Sequence, residues 1–146
     1  MGRRVALLMV LGLSFINPIR APAAADAGLA DRDQAAIRTT VERQLAAFQR
    51  DDGAAAFSYA APAIQEKFGT PENFMAMVRI GYEPVYRPRE VEFHEIAVLE
   101  GAPTQEVLLV DRNGVAYLAY YLMQQQPDGR WLINGCILRR IADRAT

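Results

Sequence analysis

Apolar residues recur along this chain with two periods, and the change from one to the other divides it. From Asp31 to Arg50 the stretch DRDQAAIRTTVERQLAAFQR places Ile37, Val41, Leu45 and Phe48 at steps of four, four and three, one face of a helix. Arg38 precedes Glu42 by four residues, within ion-pair reach on a polar face. Asp31 with Gln34 reads as a capping box, and Arg50 suits the negative end of the helix dipole. Asp51-Asp52-Gly53 stops that helix. A short helix is expected over Ala54–Ala60, and another from Pro62, with Ile64 and Phe68 on one face and Gly69 as its end. Thr70-Pro71-Glu72 opens a further helix, with Phe74, Met77 and Val78 as its buried stripe and Gly81 as its close.

Tyr82 to Arg89, YEPVYRPR, reads as an extended connector, because proline cannot donate to a ladder. Beyond it the period falls to two. Val91 and Phe93 share one parity, Ile96 and Val98 the other, which predicts a β-bulge near His94-Glu95 and a bend in the sheet. Glu100 to Pro103 is a turn, and Gln105–Val110 a second strand. Asn113-Gly114 is a pair favoured in tight hairpins. Val115–Gln126 is a third strand, apolar on both parities, as in a central strand covered on both faces. Gln126 to Gly129 turns the chain into a fourth strand, Trp131–Leu138. Helices first and a meander afterwards make an α+β domain: N-terminal helices on a bent antiparallel sheet of about four strands.

The first 25 residues read differently. Arg3 and Arg4 precede a short apolar run, Val5–Ile16, and Ala23-Ala24-Ala25 offers small residues for cleavage before Asp26, with Ala21-Pro22-Ala23 a second site. The run is shorter than the roughly 20 residues a spanning helix needs. The expectation is a cleaved signal peptide over residues 1–25, a single domain over 26–146, export to the periplasm or outside the cell, and no stable membrane insertion after cleavage. Cleavage moves the formal charge from −1 to 17 acids against 13 bases, or −4. Nucleic acid and anionic membrane surfaces, which call for clustered positive charge, are disfavoured. One cysteine, Cys136, forms no internal disulfide, so stability rests on packing.

Elimination narrows the chemistry. The mature chain keeps one serine, Ser58, without a glycine-flanked elbow, and one histidine, His94, expected at the bulge or on a solvent-facing strand position. No CxxC, HExxH, GxGxxG or GxxxxGK occurs, so neither a metal site nor a cofactor is expected. Cys136 reads as a small buried hydrophobe. What remains is a set of tyrosines, Tyr82, Tyr86, Tyr117, Tyr120 and Tyr121, with Glu83, Glu92, Glu95 and Asn134 as neighbours. A buried glutamate with a raised pKa beside a tyrosine donor would make a general base and its partner. The alternative is tyrosines that pack their rings and wet their hydroxyls.

The run from Ile37 through FSYAAPAIQEKFGTPENFMAMV, GYEPVYRPR and DGRWLINGCIL resembles a bacterial domain family of unknown function, the group numbered 4864. More widely, the order of elements is similar to the cone-shaped α+β fold of nuclear transport factor two, ketosteroid isomerase and SnoaL-like proteins, described also as cystatin-like. The isomerase tyrosine with two buried aspartates has no counterpart, since Asp111 and Asp128 both fall in turns. The first function expected is a non-catalytic module, binding a small apolar ligand or pairing with another chain, a homodimer included. The other is an isomerase- or lyase-type enzyme with a cavity glutamate and tyrosine. Tyr82, Tyr86, Arg87, Arg89, Glu95 and Tyr121 are the candidate ligand or partner surface.

Overall fold

A computed structural model describes residues 28–142; the expected leader lies outside that span. Five helices precede four strands: α1 Asp31–Gln49, α2 Gly53–Ser58, α3 Pro62–Phe68, α4 Pro71–Gly81, α5 Glu83–Tyr86, then β1 Glu90–Leu99, β2 Ala102–Val110, β3 Ala116–Gln125 and β4 Trp131–Arg140. The strands form one antiparallel meander in the order β1-β2-β3-β4. This is the α+β arrangement expected.

α1 lays its stripe on one face of the sheet, where Ile37, Val41 and Phe48 are fully buried with Val107, Leu109 and Ala119. Thr40 Oγ1 donates to the Trp131 carbonyl at 3.0 Å, and Trp131 Nε1 donates to Asp33 Oδ1 at 3.1 Å, fixing the helix along β4. Arg38 pairs with Glu42 at 2.8 Å, as the spacing predicts. The capping box does not form. Ala30 is the N-cap, so Asp31 already lies in the first turn, and Gln34 donates to the Leu29 carbonyl instead. Asp31 and Asp33 still favour the positive end of the dipole. Thr70 caps α4 by accepting from Asn73 N at 3.2 Å, as read from the sequence.

The connector is not extended throughout. Tyr82 N–H bonds back to Val78, and the Val85, Tyr86 and Arg87 amides close one helical turn on Tyr82 and Glu83. Pro84 stands where a missing N–H costs nothing and its fixed φ suits a helix start.

The bulge falls between Phe93 and Ile96, as the slip in parity requires. It frees backbone groups, and the fully buried Gln105 answers one: its Nε2 donates to the His94 carbonyl at 2.7 Å. The hairpins differ from the expected turns. Leu99 and Ala102 are paired, so only Glu100 and Gly101 turn, both at positive φ (51° and 81°), and Pro103 lies within β2. Asn113-Gly114 is not a two-residue turn. Asp111 N–H bonds the Val115 carbonyl around a three-residue loop, with Gly114 alone at positive φ. Asp111 Oδ1 accepts from Asn113 N at 2.8 Å and Val115 N at 2.9 Å, which holds the loop in that form.

The free edge of β4 is partly paired by Tyr59–Ala61, with Ala61 N donating to Ile133 O at 2.8 Å and Ile133 N to Tyr59 O at 2.9 Å. β3 lies between two partners, but among the described residues helices cover one face only. Ala119, Tyr121 and Met123 are buried against them, whereas Leu118, Tyr120 and Leu122 on the other face are half-buried. Apolar residues on both parities of β3 therefore mark an interior strand with one open face.

Candidate functional site

Between the helical layer and the sheet lies a cavity of about 400 Å³. Most of its wall is apolar: Phe48, Ile64, Phe68, Phe74, Met77, Val78 and Val85 come from three helices, α1, α3 and α4, and the α5 turn, and Ile133 and Gly135 from β4. Phe74 is central, with the rings of Phe48, Phe57 and Phe68 around it at 5.4–6.0 Å between centroids. The cavity lies where α3 and α4 pass over β4 beside the end of α1.

Four polar groups face this space. Gln44 is spoken for, its Nε2 donating to the Ala56 carbonyl at 3.1 Å. Tyr82 donates its hydroxyl to the Cys136 carbonyl at 3.1 Å, and burial raises its pKa above the usual tyrosine value. Cys136 is opposite Tyr121 in the β3–β4 register, and burial pushes its thiol up to about 12, with the Tyr121 hydroxyl pulling slightly the other way. Tyr121 is 1% exposed, and beyond the weak Cys136 thiol beside it its hydroxyl has no hydrogen-bond partner among the described residues. Burial first, and the neighbouring thiol second, hold that hydroxyl well above the ordinary tyrosine pKa. It is therefore a neutral group, able to donate or accept one hydrogen bond, in an apolar chamber. Lys67, exposed at the solvent side, is the one charged residue of the lining.

The candidate residues divide into separate places. Tyr82 and Tyr121 line the cavity. Tyr86 and Arg87 stand outside that lining, at the end of α1. Asp51, at φ 55°, occupies the left-handed position that ends the helix, and Asp51 N and Asp52 N return to Phe48 O and Ala47 O. Arg87 Nη1 donates to the Phe48 carbonyl, and its Nη2 meets Asp51 Oδ2 at 2.9 Å. Tyr86 donates to the other Asp51 oxygen, and Arg79 lies 3.5 Å from it. The Tyr86 hydroxyl, then Arg87 and Arg79, hold the Asp51 carboxyl below its usual pKa. Arg87 also stacks 4.0 Å from the Tyr86 ring centre.

Arg89 pairs with Glu90 at 3.2 Å, and Glu95 is exposed at the bulge; neither reaches the cavity. His94 is at the bulge, with Nδ1 2.7 Å from Glu106 and Nε2 3.4 Å from Glu92, on the face away from α1. Among the described residues no glutamate lines the cavity, so the general base that an isomerase reading requires has no occupant there. Gln44 and Lys67 escaped the sequence reading. Gln44 had a signal, since it falls beside Val41 and Leu45 on the buried side of α1, and it is 3% exposed.

A family model described as a domain of unknown function, DUF4864, matches residues 30–146. The chain belongs to this family. The match begins beside α1 and spans every element that builds the cavity, so the chamber and the Asp51 corner are parts of the DUF4864 domain. Neither a curated protein nor a solved structure gives a match.

Proposed function

We propose that this DUF4864 domain is an exported, non-catalytic binding module whose cavity holds one small, mostly apolar molecule with a single hydrogen-bonding atom over Tyr121. The observation that carries the reading is the buried Tyr121 hydroxyl, which has no partner stronger than the Cys136 thiol beside it. A buried polar group without a partner costs about 1–3 kcal/mol, and a ligand oxygen or nitrogen that meets it recovers that cost. The chamber, about 400 Å³ with a mostly apolar wall, falls in the size range of small-molecule sites. Helices followed by a bulged meander also accord with the cone-shaped proteins of the nuclear-transport-factor-two and SnoaL type. The basic, apolar and small-residue order of residues 1–25 supports export.

The test is native mass spectrometry and solvent extraction of the chain purified from its own host. A retained small molecule is expected, with retention falling roughly tenfold in Tyr121→Phe, which keeps the ring and removes the hydroxyl. An empty chain, or equal retention by the variant, overturns the reading.

A further inference from the structure

The open face of the sheet carries a pattern that the cavity does not use. Alternation along the strands sends Glu92 of β1, Leu108 of β2, Leu118 of β3 and Arg139 of β4 to the side away from α1. Pairing puts all four in one row across the sheet: Glu92 opposite Leu108, Leu108 opposite Leu118, Leu118 opposite Arg139. The adjoining row reads Glu106, Tyr120, Ile137, with His94 bonded to Glu106 at its β1 end. Arg139 lies over the Tyr120 ring at 6.0 Å, which confirms that the two rows share a face. Ile137 is 46% exposed, and Leu108, Leu118, Tyr120 and Leu122 are half-buried, so the apolar centre is open.

We propose that this face binds a second copy of the same chain, about a two-fold axis that lies in the interface, parallel to the strands and between β2 and β3. Such an axis sets β1 against β4 of the other copy and β2 against β3. The first row then meets itself reversed: Glu92 faces Arg139, and Leu108 faces Leu118, twice each. In the next row Glu106 faces the Tyr120 hydroxyl. The other in-plane axis, across the strands, sets acid against acid at β1 and arginine against arginine at β4, so charge selects between the two. Acid at one edge, base at the other and leucine between them form a self-complementary surface. Strands of about ten residues, four abreast, offer roughly 19 Å by 33 Å in plan, near the ~800 Å² of accessible surface each partner gives in a standard interface. The twist of each sheet sets the two strand directions about 30° apart, which keeps the opposed rows in register at the centre.

Sedimentation equilibrium of the purified chain, with Glu92→Arg, Arg139→Glu and the double reversal, tests this. Each single reversal brings two like-charge pairs together and is expected to weaken dimerisation at least about tenfold, while the double reversal restores it. Glu92 and Arg139 are three strand spacings apart within one copy, roughly 14 Å, so restoration has no explanation inside a monomer. Leu118→Glu is expected to give a monomer, with circular dichroism and the melting curve showing that it stays folded. A parent chain monomeric at 100-fold above the low-micromolar range, about 0.1 mM and more, overturns the proposal. So does a dimer indifferent to the reversals, or a face found covered by a different protein or by the chain's own N-terminal residues.

Discussion

Tyr121 and Cys136 face each other across β3 and β4, and each makes a prediction that the other sharpens. The Tyr121 hydroxyl is buried and has no partner stronger than the Cys136 thiol, so deleting it removes a desolvated polar group without opening a large space. Tyr121→Phe is therefore expected to melt at or above the parent, with a gain of up to about 1 kcal/mol in the ligand-free chain. A loss of more than about 1 kcal/mol would show that the hydroxyl has a stronger partner. Cys136, its thiol pushed to about 12 by burial, holds almost no thiolate near neutrality. Labelling by a thiol reagent at pH 8 should be slow in the native chain and rapid in denaturant, and Cys136→Ala should cost about 1 kcal/mol. Both residues are legible as strand positions from sequence alone. That Tyr121 points into the chamber and Tyr120 away from it follows from register, which the apolar residues on both parities of β3 leave undetermined.

The α1–α5 corner shows why an element-scale reading needs contacts distant in sequence. Asp51 reads as a helix stop, and so it is, but its carboxylate lies at the negative end of α1, where a charge of its sign is unfavourable. Tyr86, Arg87 and Arg79 reverse that cost, and they come from positions 28 to 36 residues later. No local pattern announces such an arrangement. The connector's helical turn is hidden for a related reason: proline argues against a strand, yet it equally suits the first turn of a helix. Because the folded Asp51 pKa is depressed, its contribution is present above the unfolded value, about pH 4, and is lost as pH falls through the lower folded value. Asp51→Asn, which keeps a residue tolerant of positive φ, should lower the melting temperature at pH 7 and converge with the parent as pH falls through the depressed folded value. Parallel melting curves across that range would remove the carboxylate from the account. Arg87→Ala and Tyr86→Ala should each lose several degrees at pH 7, since Arg87 satisfies the Phe48 carbonyl. Variants that melt like the parent but lose a co-purifying molecule would make the corner a recognition surface instead.

At the scale of the whole chain, the sequence announces the order of elements, the bulge and the meander, because periodicity is a local property and survives folding. The cavity is less legible, since a chamber is what packing fails to fill, and depends on how far α3 and α4 stand from the sheet. The open face of the sheet is hidden for the same reason: apolar residues on both parities of β3 look, from the sequence alone, like coverage on both sides. The export proposed for this chain bears on its lone cysteine. An exposed thiol in an oxidising compartment forms mixed or intermolecular disulfides, whereas Cys136, a half-buried residue whose thiol faces the interior with its pKa pushed up to about 12, is slow to form either. Cleavage before Asp26 would deliver a chain of net charge −4 with its single thiol protected from exchange. Intact-mass measurement on the exported fraction from the native host is expected to show a mature N-terminus at Asp26, or at Ala24 if the second site is used, and a free Cys136. The same sample on a non-reducing gel should run as a single chain, because the proposed pairing through the sheet is not covalent. An intact Met1 in that fraction would overturn the leader reading. A thiol found capped or cross-linked would show that the strand around Cys136 opens far more readily than its packing implies.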